Sequence, residues 1–81
     1  MSHNEKILVV DDEESIRLML RVALQLAGFE FLEAADVDEA WVIVREESPD
    51  LVLLDWMLPG GSGVDFLRKL RKKDRTVNLP V

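Results

Sequence analysis

The sequence predicts an α/β fold in which a parallel sheet carries helices on both of its faces. Short apolar runs alternate with longer segments whose apolar residues recur every three to four positions. Carboxylates follow directly after the first and the third apolar run. The reactive groups of parallel sheets gather at the carboxyl ends of the strands, so this placement supports the same class. The predicted order is β-α-β-α-β-α, with right-handed crossovers.

The first strand and the first helix are predicted over residues 6–27. Lys6 to Val10 is a run of leucine and β-branched residues, which is typical of a strand buried on both faces. The helix that follows has one apolar stripe at helical spacing, comprising Ile16, Met19, Leu20, Ala23, Leu24 and Ala27. Gly28 stands where a glycine commonly ends a helix.

A second strand and helix are predicted over residues 29–47. Phe29 to Ala34 has the length and composition of a short strand. Asp36 is expected to cap the next helix, and Glu39, three residues later, completes a capping-box pair. The apolar stripe of this helix comprises Val37, Ala40, Trp41 and Val44, and Ser48-Pro49-Asp50 ends it.

The third strand is predicted at Leu51 to Leu54 and ends at Asp55. Residues 56–63 contain a proline and three glycines and are expected to form a loop. Ser62 is expected to cap a third helix whose apolar side comprises Phe66, Leu67 and Leu70. Leu79-Pro80-Val81 has the composition of the entry to a fourth strand.

The composition excludes several classes of protein. The chain of 81 residues has the length of one small domain or of part of one. It has no cysteine, which excludes disulfides and cysteine-ligated metal sites. No apolar run approaches the roughly 20 residues of a transmembrane helix, so a cytoplasmic protein without a membrane partner is expected. The net charge of −6 argues against nucleic acid as the main partner of this chain.

Three carboxylates are expected to meet at one edge of the sheet. Asp11 and Asp12 follow the first strand and Asp55 follows the third, so neighbouring strands would bring them together. Two like charges about 4 Å apart cost on the order of 4 kcal/mol at an effective dielectric constant of 20, so a cation is needed. Oxygen-only ligands favour Mg²⁺, and Mn²⁺ could replace it.

A plainer interpretation of the first acidic run is that Asp11 to Glu14 offset the positive end of the first helix. Asp55 favours the metal site over this alternative. It ends a strand of four apolar residues, and no basic residue near it in the sequence is an obvious partner.

The strings ILVVDDEESIR and LVLLDWMLPGGSG together resemble the receiver domain of two-component response regulators. The string LLDWMLPG further resembles the OmpR/PhoB type of transcription regulator, most closely the phosphate-regulon kind. The resemblance covers essentially all of the chain. It implies a flavodoxin-like fold, of which residues 1–81 would be the N-terminal part, and a phosphoacceptor rather than a conventional enzyme.

The resemblance also implies a role for individual residues. Asp55 matches the aspartate that accepts the phosphoryl group. Asp12 matches a direct magnesium ligand, Asp11 matches its partner that acts through water, and the backbone carbonyl of Met57 completes the protein ligands. The implied partners are a sensor histidine kinase and, only through a C-terminal effector domain absent from this chain, DNA.

In the family, a switch Ser or Thr and a phosphate-binding Lys follow the fourth and fifth strands, beyond Val81. The chain is therefore expected to be a truncated receiver that self-associates or swaps segments between copies. An interaction or assembly fragment without phosphorylation activity remains the alternative function.

The sequence excludes two other classes of α/β protein. A haloacid-dehalogenase site needs a second aspartate two residues after the nucleophile, where this chain has Met57. A dinucleotide-binding half-domain needs glycines after the first strand, where this chain has acidic residues.

Overall fold

The computed structural model of the chain describes residues 5–55, 63–72 and residue 80. The elements in chain order are β1 (Lys6–Val10), α1 (Glu14–Leu26), β2 (Glu30–Ala34), α2 (Val37–Glu47), β3 (Leu51–Leu54) and α3 (Gly63–Lys72). The three strands form one parallel sheet in the order β2-β1-β3. The predicted class and order of elements are confirmed. The predicted cap at Ser62 and the strand positions Leu79 and Val81 lie outside the described residues.

β1 is the central strand, and its side chains from Ile7 to Val10 are all buried. Such burial on both faces is what its continuous apolar run predicts. One face of the sheet packs against α2 and α3 in a core that comprises Leu8, Val10, Ala34, Ala40, Val44, Val52, Phe66 and Leu70. Trp41 joins the two helices, because its ring meets the Phe66 ring edge-on at a centroid distance of 4.9 Å.

The ends of α1 and α2 follow the local sequence signals. Gly28 has a φ of +95°. Its N–H donates to the Gln25 carbonyl, and the next N–H, from Phe29, donates to Leu24. These two bonds form a Schellman motif, which ends α1 at the predicted glycine. At the start of α2 the Asp36 carboxylate accepts a hydrogen bond from the Glu39 N–H at 2.8 Å, as predicted.

α1 lies on the other face of the sheet. Half of the residues that were predicted to form its buried stripe are exposed. Ile16, Leu20 and Leu24 are half-buried against the sheet, whereas Met19, Ala23 and Ala27 are exposed. No residue of α1 is fully buried. The sequence could not fix the face, because apolar residues lie almost all round this helix. Leu18, Val22 and Leu26 are apolar as well, and all three are exposed.

β3 is buried on one face only. Val52 is fully buried, but Leu53, on the α1 side, is 37% exposed. On the side of β3 away from β1, the Val52 N–H donates to the Pro80 carbonyl at 2.9 Å. Pro80 therefore lies beside β3. It belongs to the segment that was predicted to begin a fourth strand. Within the described ranges, no helix is long and apolar enough to cross a bilayer.

Candidate functional site

Asp11, Asp12 and Asp55 lie at the carboxyl ends of neighbouring strands, as the sequence predicts. Their backbone is fixed by the sheet. The Asp11 N–H donates to the Ala34 carbonyl at 3.1 Å, and the Asp55 N–H donates to the Val10 carbonyl at 3.0 Å. These bonds continue the ladders that join β1 to its two neighbours, so the positions of the two aspartates follow from strand register.

The three side chains converge on a common point. One carboxylate oxygen from each of Asp11, Asp12 and Asp55 lies within 4.8 Å of the other two. Asp12 is exposed, and Asp11 and Asp55 are half-buried. An all-oxygen donor set with no histidine or cysteine suits a hard divalent cation. The residues present therefore fit Mg²⁺, an ion that usually binds one or two carboxylates and keeps several waters or phosphate oxygens as its other ligands.

The carboxylate of Asp11 differs from the other two because its own loop already engages it. One of its oxygens accepts a hydrogen bond from the Glu13 N–H at 2.9 Å. This closes a short turn between β1 and α1, of the kind that aspartate favours. The turn orients Asp11 and leaves Asp12 pointing toward solvent at the same edge.

A groove opens beside the acidic cluster, between α1 and β3. Its apolar lining includes Val9, Leu20 and Leu53, and its rim carries Asp11 and Asp55. Two of the three carboxylates thus lie where water meets an apolar wall. Electrostatic interactions are stronger there than in bulk water, because the wall lowers the local dielectric constant.

Arg17 is the residue that reasoning from the sequence missed. Its Nη1 donates to the Asp11 carbonyl oxygen at 2.6 Å. Its Nε donates to a Glu33 carboxylate oxygen at 2.8 Å. The only sequence signal was that Arg17 is the single basic residue among residues 7–20, one turn into a helix that begins with acids. Its partner Glu33 lies on β2, so no local pattern could reveal the contact.

One predicted site residue lies outside the described part of the chain. It is Met57, whose backbone carbonyl was expected to bind magnesium. Its assigned role stays a prediction.

Comparison with known proteins places the chain in a family. The sequence profile of the "Response regulator receiver domain" family matches residues 7–81. Phosphate regulon transcriptional regulatory protein PhoB of Pseudomonas aeruginosa is 49% identical over 75 residues, which cover 93% of this chain and 33% of that protein. Sporulation initiation phosphotransferase F of Bacillus subtilis is 40% identical over 76 residues, covering 94% of this chain and 61% of that protein.

The solved structures agree with the sequence relatives. The chemotaxis response regulator CheY4 of Vibrio cholerae superposes with a TM-score of 0.91 at 33% identity, covering 96% of this chain and 65% of that one. The chain spans about a third of the length of the PhoB proteins that it matches. Family profile, relatives and fold agree: the chain belongs to the response regulator receiver domain family.

Proposed function

We propose that this chain is the N-terminal, phosphoacceptor part of a receiver domain, and that Asp55 accepts a phosphoryl group with the help of Mg²⁺. The observation that carries the proposal is the meeting of Asp55 with Asp11 and Asp12 within 4.8 Å, at the carboxyl edge of a receiver-family sheet. Such an edge is where parallel α/β sheets place their reactive groups.

The donor set divides into direct and indirect ligands. Asp12 and Asp55 would hold the ion directly, together with the backbone carbonyl of Met57. The family resemblance assigns Asp11 an indirect role through a water molecule, and its own turn would hold it in place, because one of its oxygens accepts the Glu13 N–H. When bound, Mg²⁺, or Mn²⁺ in its place, supplies positive charge that offsets both the carboxylates and the oxygens of the transferred group.

Asp55 is the nucleophile in this scheme. A carboxylate oxygen of Asp55 attacks the phosphorus of a phosphohistidine or of a small phosphodonor. The phosphorus–nitrogen bond to the imidazole breaks as the phosphorus–oxygen bond forms. The leaving imidazole keeps the electron pair and takes a proton from solvent. With acetyl phosphate as the donor, the phosphorus–oxygen bond to the acetyl group breaks instead, and acetate leaves with the electron pair. The product is an aspartyl phosphate, whose added charge can bias a conformational equilibrium in the domain.

The relatives suggest the partners. The PhoB proteins are named as phosphate regulon transcriptional regulatory proteins, and this chain matches about a third of their length. We therefore propose a sensor histidine kinase as the phosphodonor and transcription as the output. DNA would be bound through a separate effector domain, in the cytoplasm. The domain would be a phosphoacceptor rather than a conventional enzyme, with self-phosphorylation and self-dephosphorylation as its activities at most.

Phosphoryl transfer can be tested directly in the full-length protein that contains this chain. Incubation with acetyl phosphate and Mg²⁺ should add the mass of one phosphoryl group, and the label should be released by hydroxylamine. Asp55→Asn should abolish the label, because an amide is a far weaker nucleophile than a carboxylate.

Asp50→Asn is the matched control, since Asp50 precedes β3 at the opposite edge and its carboxylate accepts the Lys6 N–H. The control should label like the unmutated protein. A label that persists in Asp55→Asn, or that disappears in Asp50→Asn, would show that the acceptor is misassigned. An unmutated protein that takes no label would favour the alternative, an interaction fragment without phosphorylation activity.

A further inference from the structure

We propose that Arg17 is a positioning residue for the acidic site. It holds the peptide between Asp11 and Asp12 in the orientation that binds a divalent cation, and it is itself anchored by Glu33 on β2. The inference rests on the proposed function, because it concerns the same three carboxylates. It adds a residue that does not touch the ion or the phosphoryl group.

Arg17 contacts the backbone of the turn that carries Asp11 and Asp12, not its carboxylates. The Asp11 carbonyl that accepts its Nη1 at 2.6 Å belongs to the same peptide unit as the Asp12 N–H. Fixing this oxygen therefore fixes the peptide plane from which the Asp12 side chain departs. The second bond, from Nε to Glu33 at 2.8 Å, ties the guanidinium to the neighbouring strand. The Arg17 side chain is only 13% exposed, and its bond to the Asp11 carbonyl is partly buried. The bond to Glu33 is open to water, because the Glu33 side chain is 41% exposed.

Arginine suits this task better than lysine does. Its planar guanidinium presents donors in a rigid fork, so one side chain can hold two acceptors in a fixed relative position. The Asp11 turn is then held twice. Arg17 holds its backbone carbonyl, and the Glu13 N–H holds its carboxylate. The turn joins two rigid elements, β1 and α1, and the arginine links it to a third, β2.

Removing Arg17 should change the affinity for Mg²⁺ in two opposite ways, one through its charge and one through its hydrogen bonds. Arg17→Met leaves Glu33 without its cation, so the region becomes more negative and would attract Mg²⁺ more strongly. Loss of the bond to Asp11 would instead loosen the turn and weaken metal binding. The double variant Arg17→Met/Glu33→Gln removes one charge of each sign. It therefore keeps the local net charge and isolates the positional effect.

The chain offers a matched control at the opposite edge of the sheet. Lys6 Nζ also donates both to a carboxylate and to a backbone carbonyl, and both belong to Glu47, at 3.4 Å and 3.1 Å. Lys6→Met/Glu47→Gln thus deletes a comparable pair of contacts without a change of net charge. It lies far from the acidic cluster along β1 and should affect stability alone.

The test uses the full-length protein and two measurements. Calorimetric titration gives the dissociation constant for Mg²⁺. Amide hydrogen exchange at Glu13 reports the order of the turn in the absence of metal. Arg17→Met/Glu33→Gln should raise the dissociation constant about tenfold or more, the usual range when a partner that orients a metal ligand is removed. It should also accelerate exchange at Glu13. The Lys6/Glu47 control should change neither quantity.

Arg17→Lys separates geometry from charge, because it keeps the charge and loses the fork. We expect Arg17→Lys to bind Mg²⁺ almost as weakly as the Arg17/Glu33 double variant does. Wild-type affinity in the Arg17/Glu33 double variant, or full recovery by Arg17→Lys, would overturn the positioning role and leave the proposed function intact. If the unmutated protein neither binds Mg²⁺ nor accepts a phosphoryl group, the proposed function fails first and this inference fails with it.

Discussion

Asp12 and Asp11 are adjacent acids with different surroundings. Asp11 donates its backbone N–H to β2 and uses one carboxylate oxygen to close the turn. Asp12 is exposed at the mouth of the same cluster. Removing Asp11 would therefore disturb the fold of the turn, whereas removing Asp12 would delete only the ligand oxygen that we propose for it. Asp12 is for this reason the better residue with which to test the metal site.

Asp12→Ala should weaken binding of Mg²⁺ at least tenfold in the full-length protein, because the ion loses a direct carboxylate ligand. Calorimetric titration checks this. The fluorescence of Trp56 should follow the same curve, because Trp56 is next to Asp55 in the sequence. Glu14→Ala is the control. It removes the same charge from the start of α1, outside the three-carboxylate cluster. Equal losses in both variants would mean that only overall charge attracts the cation, and the assignment of Asp12 as a ligand would be wrong.

The acidic cluster was predictable from the sequence, but the hydrogen bonds of Arg17 beside it were not. Asp11, Asp12 and Asp55 each follow a short apolar run, so strand ends and topology together place them at one edge. Arg17 pairs with Glu33, which lies on a different strand. Its contact with Asp11 depends on how α1 is rotated against the sheet. Reasoning from periodicity gives strands, helices and their order, whereas contacts between elements depend on packing.

At the scale of the element, α1 shows when a periodic pattern cannot predict which face of a helix is buried. The helix presents apolar residues in nearly every direction, so several different stripes satisfy a helical period. In the structure the sheet contacts Ile16, Leu20 and Leu24, whereas Met19 is 59% exposed. α2 behaved differently. Its predicted stripe faces the core, because Ala40 and Val44 are buried and Val37 and Trp41 pack against that core, whereas Val42, outside the stripe, is 40% exposed.

The end of α1 depends on one glycine, and Gly28→Ala tests this. A Cβ at Gly28 would meet no atom within 4 Å, so space is not the obstacle. The φ of +95° is the obstacle, because residues with a Cβ rarely adopt it. We expect a loss of about 1 kcal/mol in the free energy of unfolding, measured by urea denaturation.

Gly28→Asn is the companion variant, since asparagine tolerates left-handed backbone better than alanine does. It should retain more stability than Gly28→Ala. Equal stability of Gly28→Ala and the unmutated protein would show that the Schellman motif does not determine where α1 ends.

At the scale of the whole molecule, the two faces of the sheet are covered unequally. The face under α2 and α3 has a closed core with large buried side chains such as Phe66, Leu8 and Leu70. Among the described residues, the opposite face is covered by α1 alone. Leu53 is partly exposed there, and Leu18, Val22 and Leu26 of α1 are more exposed still. Scattered exposed leucines are common, whereas a contiguous exposed apolar surface favours association with another molecule.

This imbalance predicts the behaviour of the 81-residue chain by itself. Burial of even two leucine-sized side chains contributes about 3–6 kcal/mol, which is a large part of a typical total stability of about 5–15 kcal/mol. Copies of the chain should therefore bury the α1 face against each other. We expect self-association at micromolar concentration in analytical ultracentrifugation, together with a broad thermal transition.

The double variant Met19→Gln/Leu26→Gln should shift the chain toward monomer, because both side chains are exposed on α1, at 59% and 84%. Val42→Gln is the control. Val42 is 40% exposed on α2, the helix that covers the other face, and its replacement should leave the association unchanged. A wild-type chain that sediments as a monomer and melts in one sharp transition would contradict the prediction. The three strands and three helices would then form a stable unit in spite of the uneven cover, because the core between the sheet, α2 and α3 would suffice to hold them.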